Sequence, residues 1–179
     1  MRLIRKTILP VLLLTACVFL LAGCKKDEDG ENKKNNDSEN KVTETAVDMK
    51  QLKEDMLAAD DSIPEMSVVY GSDENGPDLF SYLAEYNYEN VEDYYFAYAT
   101  AGTAEEVAVI RLKDNDSAED CLKAVQAHVE SRIIQFETYD PSQVERCEGA
   151  VAFSNENYVV LIISDNDEAV KEAFYAAFK

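Results

Sequence analysis

Residues 94–113 read YYFAYATAGTAEEVAVIRLK, and the alternation within them decides the fold. Tyr94, Phe96, Tyr98 and Thr100 fall on one face of an extended chain; Tyr95, Ala97 and Ala99 fall on the other. After Gly102-Thr103 the pattern restarts, with Ala108, Ile110 and Leu112 opposite Val107, Val109 and Arg111. β-branched and aromatic residues around a glycine turn predict a hairpin, Tyr94–Ala101 with Glu105–Lys113. Both faces are apolar, so the pair is expected near the middle of a sheet.

The next segment changes period. Leu122, Val125, Val129, Ile133 and Phe136 recur every three or four residues, predicting one long helix over about 118–137. Ser117 with Asp120 resembles a capping box at its start, and Tyr139-Asp140-Pro141-Ser142 breaks it. Gln143–Arg146 can add a turn. A second hairpin follows, Gly149–Ser154 with Tyr158–Ser164 around Asn155-Glu156-Asn157. A terminal helix runs from Asp165, placed with Glu168 as its cap, to Phe178, with Ala169, Val170, Ala173, Phe174 and Ala177 on its apolar face.

Upstream, Val47–Ala59 reads as an amphipathic helix ended near Ile63-Pro64. Met66–Tyr70 is a short strand or irregular, Ser72–Pro77 a turn, and Asp78–Tyr86 a short helical stretch. The expected fold is α+β: an antiparallel sheet of about four strands with helices packed on it. The order is helix, irregular region, strand, strand, helix, strand, strand, helix.

The N-terminal end is of another kind. Arg2, Arg5 and Lys6 precede the apolar run Thr7–Leu21, about 15 residues, where a bilayer span needs roughly 20. Leu21-Ala22-Gly23-Cys24 then resembles the lipobox of bacterial lipoproteins. Residues 1–23 are read as the signal peptide and Cys24 as the lipidated first residue, whose acyl chains would anchor the protein in the membrane. Residues 25–46, KKDEDGENKKNNDSENKVTETA, hold no aromatic residue and read as a polar tether spanning about 25 Å as a random coil. Asp27-Glu28-Asp29-Gly30 lacks the ligand spacing of a calcium loop. The domain is residues 47–179, and the expected location is the extracytoplasmic face of the cell membrane.

Charge narrows the function. The chain of 179 residues carries 17 basic and 36 acidic residues, net -19. Residues 1–23 hold three basic and no acidic residues, so 14 against 36 leaves -22; the tether's five against seven is -2, leaving -20 on the domain. Such a surface has the wrong sign for nucleic acid.

AEEVAVIRLKD (Ala104–Asp114) with the helix after it, YDPSQVE (Tyr139–Glu145) and NYVVLIIS (Asn157–Ser164) together resemble the family called domain of unknown function 4358. That family is found mainly in lipoproteins of clostridia and related Firmicutes, which agrees with the lipobox and tether. The resemblance brings no activity, cofactor or catalytic residue, and Cys121 and Cys147 are not part of its pattern.

Candidate chemistry is sparse. His128, the single histidine, sits on a flank of the long helix and reads as a rim residue, with no nucleophile motif beside it. One histidine and no C-x-x-C pair make a poor zinc site. Cys121 and Cys147 are either buried thiols or a disulfide, which would close a loop of about 25 residues and stabilise by about 3 kcal/mol. Asp114, Asp116 and Glu119, and Asp165, Asp167 and Glu168, suit helix starts through the dipole and are the alternative basis for a calcium site. Glu105 and Glu106 are neighbours on a strand and so face opposite ways, which denies them a joint general acid/base role. Seven of the ten tyrosines lie between Tyr70 and Tyr98; Tyr82, Tyr86, Tyr88 and Tyr95 are the candidate ligand-facing aromatics. The expectation is a non-enzymatic envelope module without a cofactor, binding a protein or cell-wall ligand. A calcium-responsive module and a carboxylate-dependent hydrolase of wall sugars are the alternatives.

Overall fold

A computed structural model describes residues 47–179. The signal peptide, Cys24, the tether and Asp27–Gly30 lie outside the described residues. In chain order the elements are α1 (Met49–Ala58), β1 (Met66–Tyr70), α2 (Gly76–Leu79), β2 (Val91–Ala99), β3 (Glu106–Leu112), α3 (Ala118–Tyr139), α4 (Val144–Glu148), β4 (Val151–Asn155), β5 (Tyr158–Ile163) and α5 (Asp167–Ala176). Short 3-10 turns occupy Phe80–Tyr82, Tyr88–Asn90 and Pro141–Gln143. The α+β class and the order of elements are as expected. Met66–Tyr70 resolves as a strand, making the sheet five-stranded in the order β1-β2-β3-β5-β4, antiparallel throughout.

The hairpin of residues 91–112 sits where its two-faced pattern requires. Tyr94 pairs with Ile110 and Phe96 with Ala108, and β3 is the middle strand. All six residues of β5 and six of seven in β3 are buried. Each such aliphatic side chain contributes about 1.5–3 kcal/mol by leaving water, so both faces need cover. On one face Ala108, Ile110, Leu112, Val159 and Leu161 pack with Val125 and Phe136 of α3 and with Phe80 and Leu83. On the other, Val107, Val109, Val160 and Ile162 pack with Leu52 and Met56 of α1 and Val170 and Phe174 of α5. The sheet is the middle of three layers.

Local chemistry explains the joints. Gly102 adopts φ +77° in the β2–β3 turn, a conformation open to glycine. At Gly76 an added Cβ would stand 2.6 Å from the Tyr70 carbonyl oxygen, so only glycine allows this approach of α2 to β1. Two expected caps are not formed. Ser117 makes no side-chain cap bond; its own N–H donates to Asp114 Oδ1 at 3.0 Å. The α5 cap is Asn166, not Asp165, whose carboxylate is instead taken by Arg146. Cys121 is fully buried in the core beside the helical stripe. Among the described residues, no helix is long and apolar enough to cross a membrane.

Asp60 ties α1 to α5 on the second face. Its buried carboxylate accepts from Ser62 N–H (2.8 Å), Ser62 Oγ–H (2.7 Å) and Asn166 N–H (3.0 Å). Burial pushes this carboxyl up, but the donors from Ser62 and Asn166 outweigh it and hold the pKa below the ordinary value. A carboxyl depressed in the folded state stabilises above its unfolded value. The contribution is therefore complete above pH of about 4 and is lost as pH falls further. Asp60→Ala should cost about 1–3 kcal/mol at neutral pH in urea melts by stranding those donors. It should also flatten the acid limb of stability; a variant as acid-sensitive as wild type would contradict this role.

Candidate functional site

α3 lies over β5 and β4, while α2 covers β1. Between them the sheet shows Val69 of β1 and Phe96 of β2. A groove of about 710 Å³ occupies this gap. Its floor is Val69 and Phe96, one wall is the α3 face carrying His128, Ser131, Arg132, Gln135, Phe136 and Tyr139, and the facing wall is Leu79 and Tyr82. The β2–β3 turn closes one end with Gly102 and Thr103.

One charged cluster is built into the α3 wall. Glu106 opens β3 on the face of Ala108, and its side chain is only 4% exposed. His128 and Arg132, one helical turn apart, meet it from α3. His128 Nε2 is 2.6 Å from Glu106 Oε2. Arg132 Nε lies 2.8 Å from Glu106 Oε1, within ion-pair range although its N–H is not aimed as a hydrogen bond. Arg132 Nη1 donates to Gln135 Oε1 at 2.8 Å, and its guanidinium lies 4.5 Å over the Phe136 ring. His128 meets Phe96 edge-on. Both oxygens of Glu106 are thus engaged, as a charge at this depth requires.

Glu105, the neighbour, is also buried, and it pairs with Arg146 Nη1 at 3.0 Å. Arg146 holds Asp165 at the same time through two N–H···O contacts of 2.9 and 3.1 Å. Those bonds, with the nearby Glu105 charge, raise the Arg146 pKa further against burial. The two glutamates serve separate arginines.

The candidate tyrosines separate. Tyr82 is 70% exposed on the groove wall. Tyr86 is half-buried, its hydroxyl accepting from Asn90 Nδ2 at 3.2 Å. Tyr88 packs edge-on against Phe80 and Tyr94. Tyr95 is a correction: it is fully buried under α1, with its hydroxyl toward Met56 Sδ, because its strand face is covered by a helical layer the alternation alone does not show. Tyr98 (38% exposed) and Tyr139 (72% exposed) complete the rim with Tyr82. Sequence reasoning missed these two, along with the Glu106–His128–Arg132 set. The signal was present: His128 and Arg132 stand four apart on one helix face, and Glu106 and Tyr98 share the face of Ala108 and Phe96.

At the acidic helix starts, Asp114 accepts from Ser117 N–H, Glu119 pairs with Lys123, Asp165 with Arg146 and Glu168 with Lys171. Among the described residues no group of three or more His, Cys, Asp or Glu could hold a metal ion. A second, shallower hollow of about 490 Å³ lies beside Val47, Lys50, Tyr70 and Arg111.

Cys121 and Cys147 are free and buried, so the disulfide alternative gives way to the buried-thiol one. Burial pushes the Cys121 thiol up to about 12 and also raises Cys147. Iodoacetamide at pH 8 should leave both unmodified in the folded chain and alkylate both in urea, as read by site-resolved mass spectrometry. Rapid labelling of either in the folded state would show the core to be open there.

No curated protein and no solved structure matches the chain. Residues 80–164, running from the turn after α2 through β5 and including Glu106, His128, Arg132 and the three rim tyrosines, match the model of one family. Over that stretch the chain resembles the family described as Domain of unknown function (DUF4358).

Proposed function

We propose that this protein is a lipid-anchored module of the cell envelope, held to the membrane through Cys24 on the extracytoplasmic side, and that it binds its ligand in the groove between α3 and β1–β2. The observation that carries the binding reading is the groove itself. Three tyrosines stand around an apolar floor, two of them more than two-thirds exposed. Soluble domains rarely leave concave aromatic surface uncovered without a use for it.

What lines the groove supports binding over hydrolysis. Its one carboxylate, Glu106, has both oxygens occupied by His128 and Arg132. Ser131 Oγ donates to the Ala127 carbonyl oxygen at 2.9 Å and not to His128. A wall-sugar hydrolase would need two carboxyl groups facing one sugar. The local partners of Asp114, Glu119, Asp165 and Glu168 likewise support this reading over a calcium-responsive one.

Two measurements test it. An alkyne-tagged palmitate analogue supplied to cells making the full chain should label wild type and not Cys24→Ala; equal labelling of the variant removes the anchor. A benzophenone amino acid at Ser131, exposed on the groove wall, should give a discrete adduct on irradiation of intact cells. The same group at Tyr175, on the α5 side, should not give that adduct. Silence at Ser131 would sink the binding reading.

A further inference from the structure

We infer that the groove takes a neutral saccharide chain; this deepens the binding reading above and rests on it. The first argument is charge. The domain carries -20, yet the groove lining has one acidic side chain, Glu106, and it is neutralised by Arg132. The groove is an uncharged window in an acidic surface. A polyanion would be repelled by the surrounding field, and a cationic chain would find no free carboxylate inside.

The second argument is the shape of the lining. Exposed tyrosine rings offer flat apolar faces to the C–H faces of sugar rings, and their hydroxyls remain available to water or ligand. The α3 wall adds planar polar groups at fixed places: the Gln135 amide and the Arg132 guanidinium, held against Phe136 by stacking. A guanidinium has five N–H donors. Those of Arg132 are only partly used by Glu106, Gln135 and a long 3.5 Å contact to the Thr103 carbonyl oxygen. Alternating apolar faces and hydroxyl-matching donors are what a sugar presents in reverse. From His128 to Tyr139 the wall runs about 16 Å along α3, room for roughly three sugar rings.

The third argument separates a saccharide from an extended peptide. A peptide lying on a sheet gains most from adding its backbone to an open strand edge. The floor is made of strand faces: that of Phe96 on β2, which is paired on both sides with β1 and β3, and the Val69 side chain of the edge strand β1. A bound peptide backbone would be desolvated there without partners; a sugar chain has no such backbone to satisfy.

The test is calorimetric titration of the full chain in a polyoxyethylene detergent, which contains no sugar. The probes are hexamers of N-acetylglucosamine, of β-1,4-linked glucose and of galacturonic acid. Saturable binding of at least one neutral hexamer is expected, weakened at least tenfold by Tyr82→Ala and by Tyr139→Ala and unchanged by Tyr175→Ala. The galacturonate hexamer should not bind. All three tyrosines are exposed at the surface, and circular dichroism checks that each variant is folded. Failure of both neutral hexamers, or binding indifferent to Tyr82 and Tyr139, overturns the inference. If that failure comes with a protein adduct at Ser131, the groove is still a binding site and only the saccharide is wrong. If it comes with no adduct, the binding reading falls as well.

Discussion

Strand β3 has no face that water can take. Val107 and Val109 point one way, Ala108, Ile110 and Leu112 the other, and β5 beside it is buried along its whole length. A sheet built around such strands must be covered twice, and the rest of the chain is arranged to do so. α1 and α5, far apart in sequence, come together on one face and are joined at Asp60. α3 with α2 and the turns after it cover the other. The cover on the α3 face comes in two pieces, and the groove is the seam between them.

The same constraint explains why Glu106 is informative. A carboxylate that begins the middle strand of a two-faced apolar sheet is costly to bury alone. It persists here because α3 brings a guanidinium and an imidazole to it. This ion set fastens the helix to the sheet at the point where the cover is incomplete. It also fixes Arg132 and, through it, Gln135 and Phe136, so the groove wall is held by the core and not by a loop.

Much of this was readable from the residues. The period-2 pattern of 94–113 and the period near 3.6 of 118–137 place the hairpin and the long helix, because both record which side chains leave water. The capping box at Ser117 does not form because Asp114, outside the helix, takes the Ser117 N–H that Asp120 would accept. Tyr95 was misread because alternation says that two faces exist, not that both are covered. The site was harder still. Glu106, His128 and Arg132 are dispersed over 27 residues and meet only through the packing of α3 on β3. Tyr139 joins Tyr82 and Tyr98 only because the groove ends at the β2–β3 turn. Local periodicity contains faces; it does not contain which faces meet.

The place where the chain enters the domain has a consequence for the groove. Val47 packs into the α1–α5 layer, and its carbonyl oxygen accepts from Arg111 Nη1 at 3.4 Å. The groove opens on the α3 layer, with the whole sheet between. Val47 and the groove thus lie on opposite faces of the sheet. None of the residues that line the groove holds Val47, so filling the groove would leave those contacts untouched.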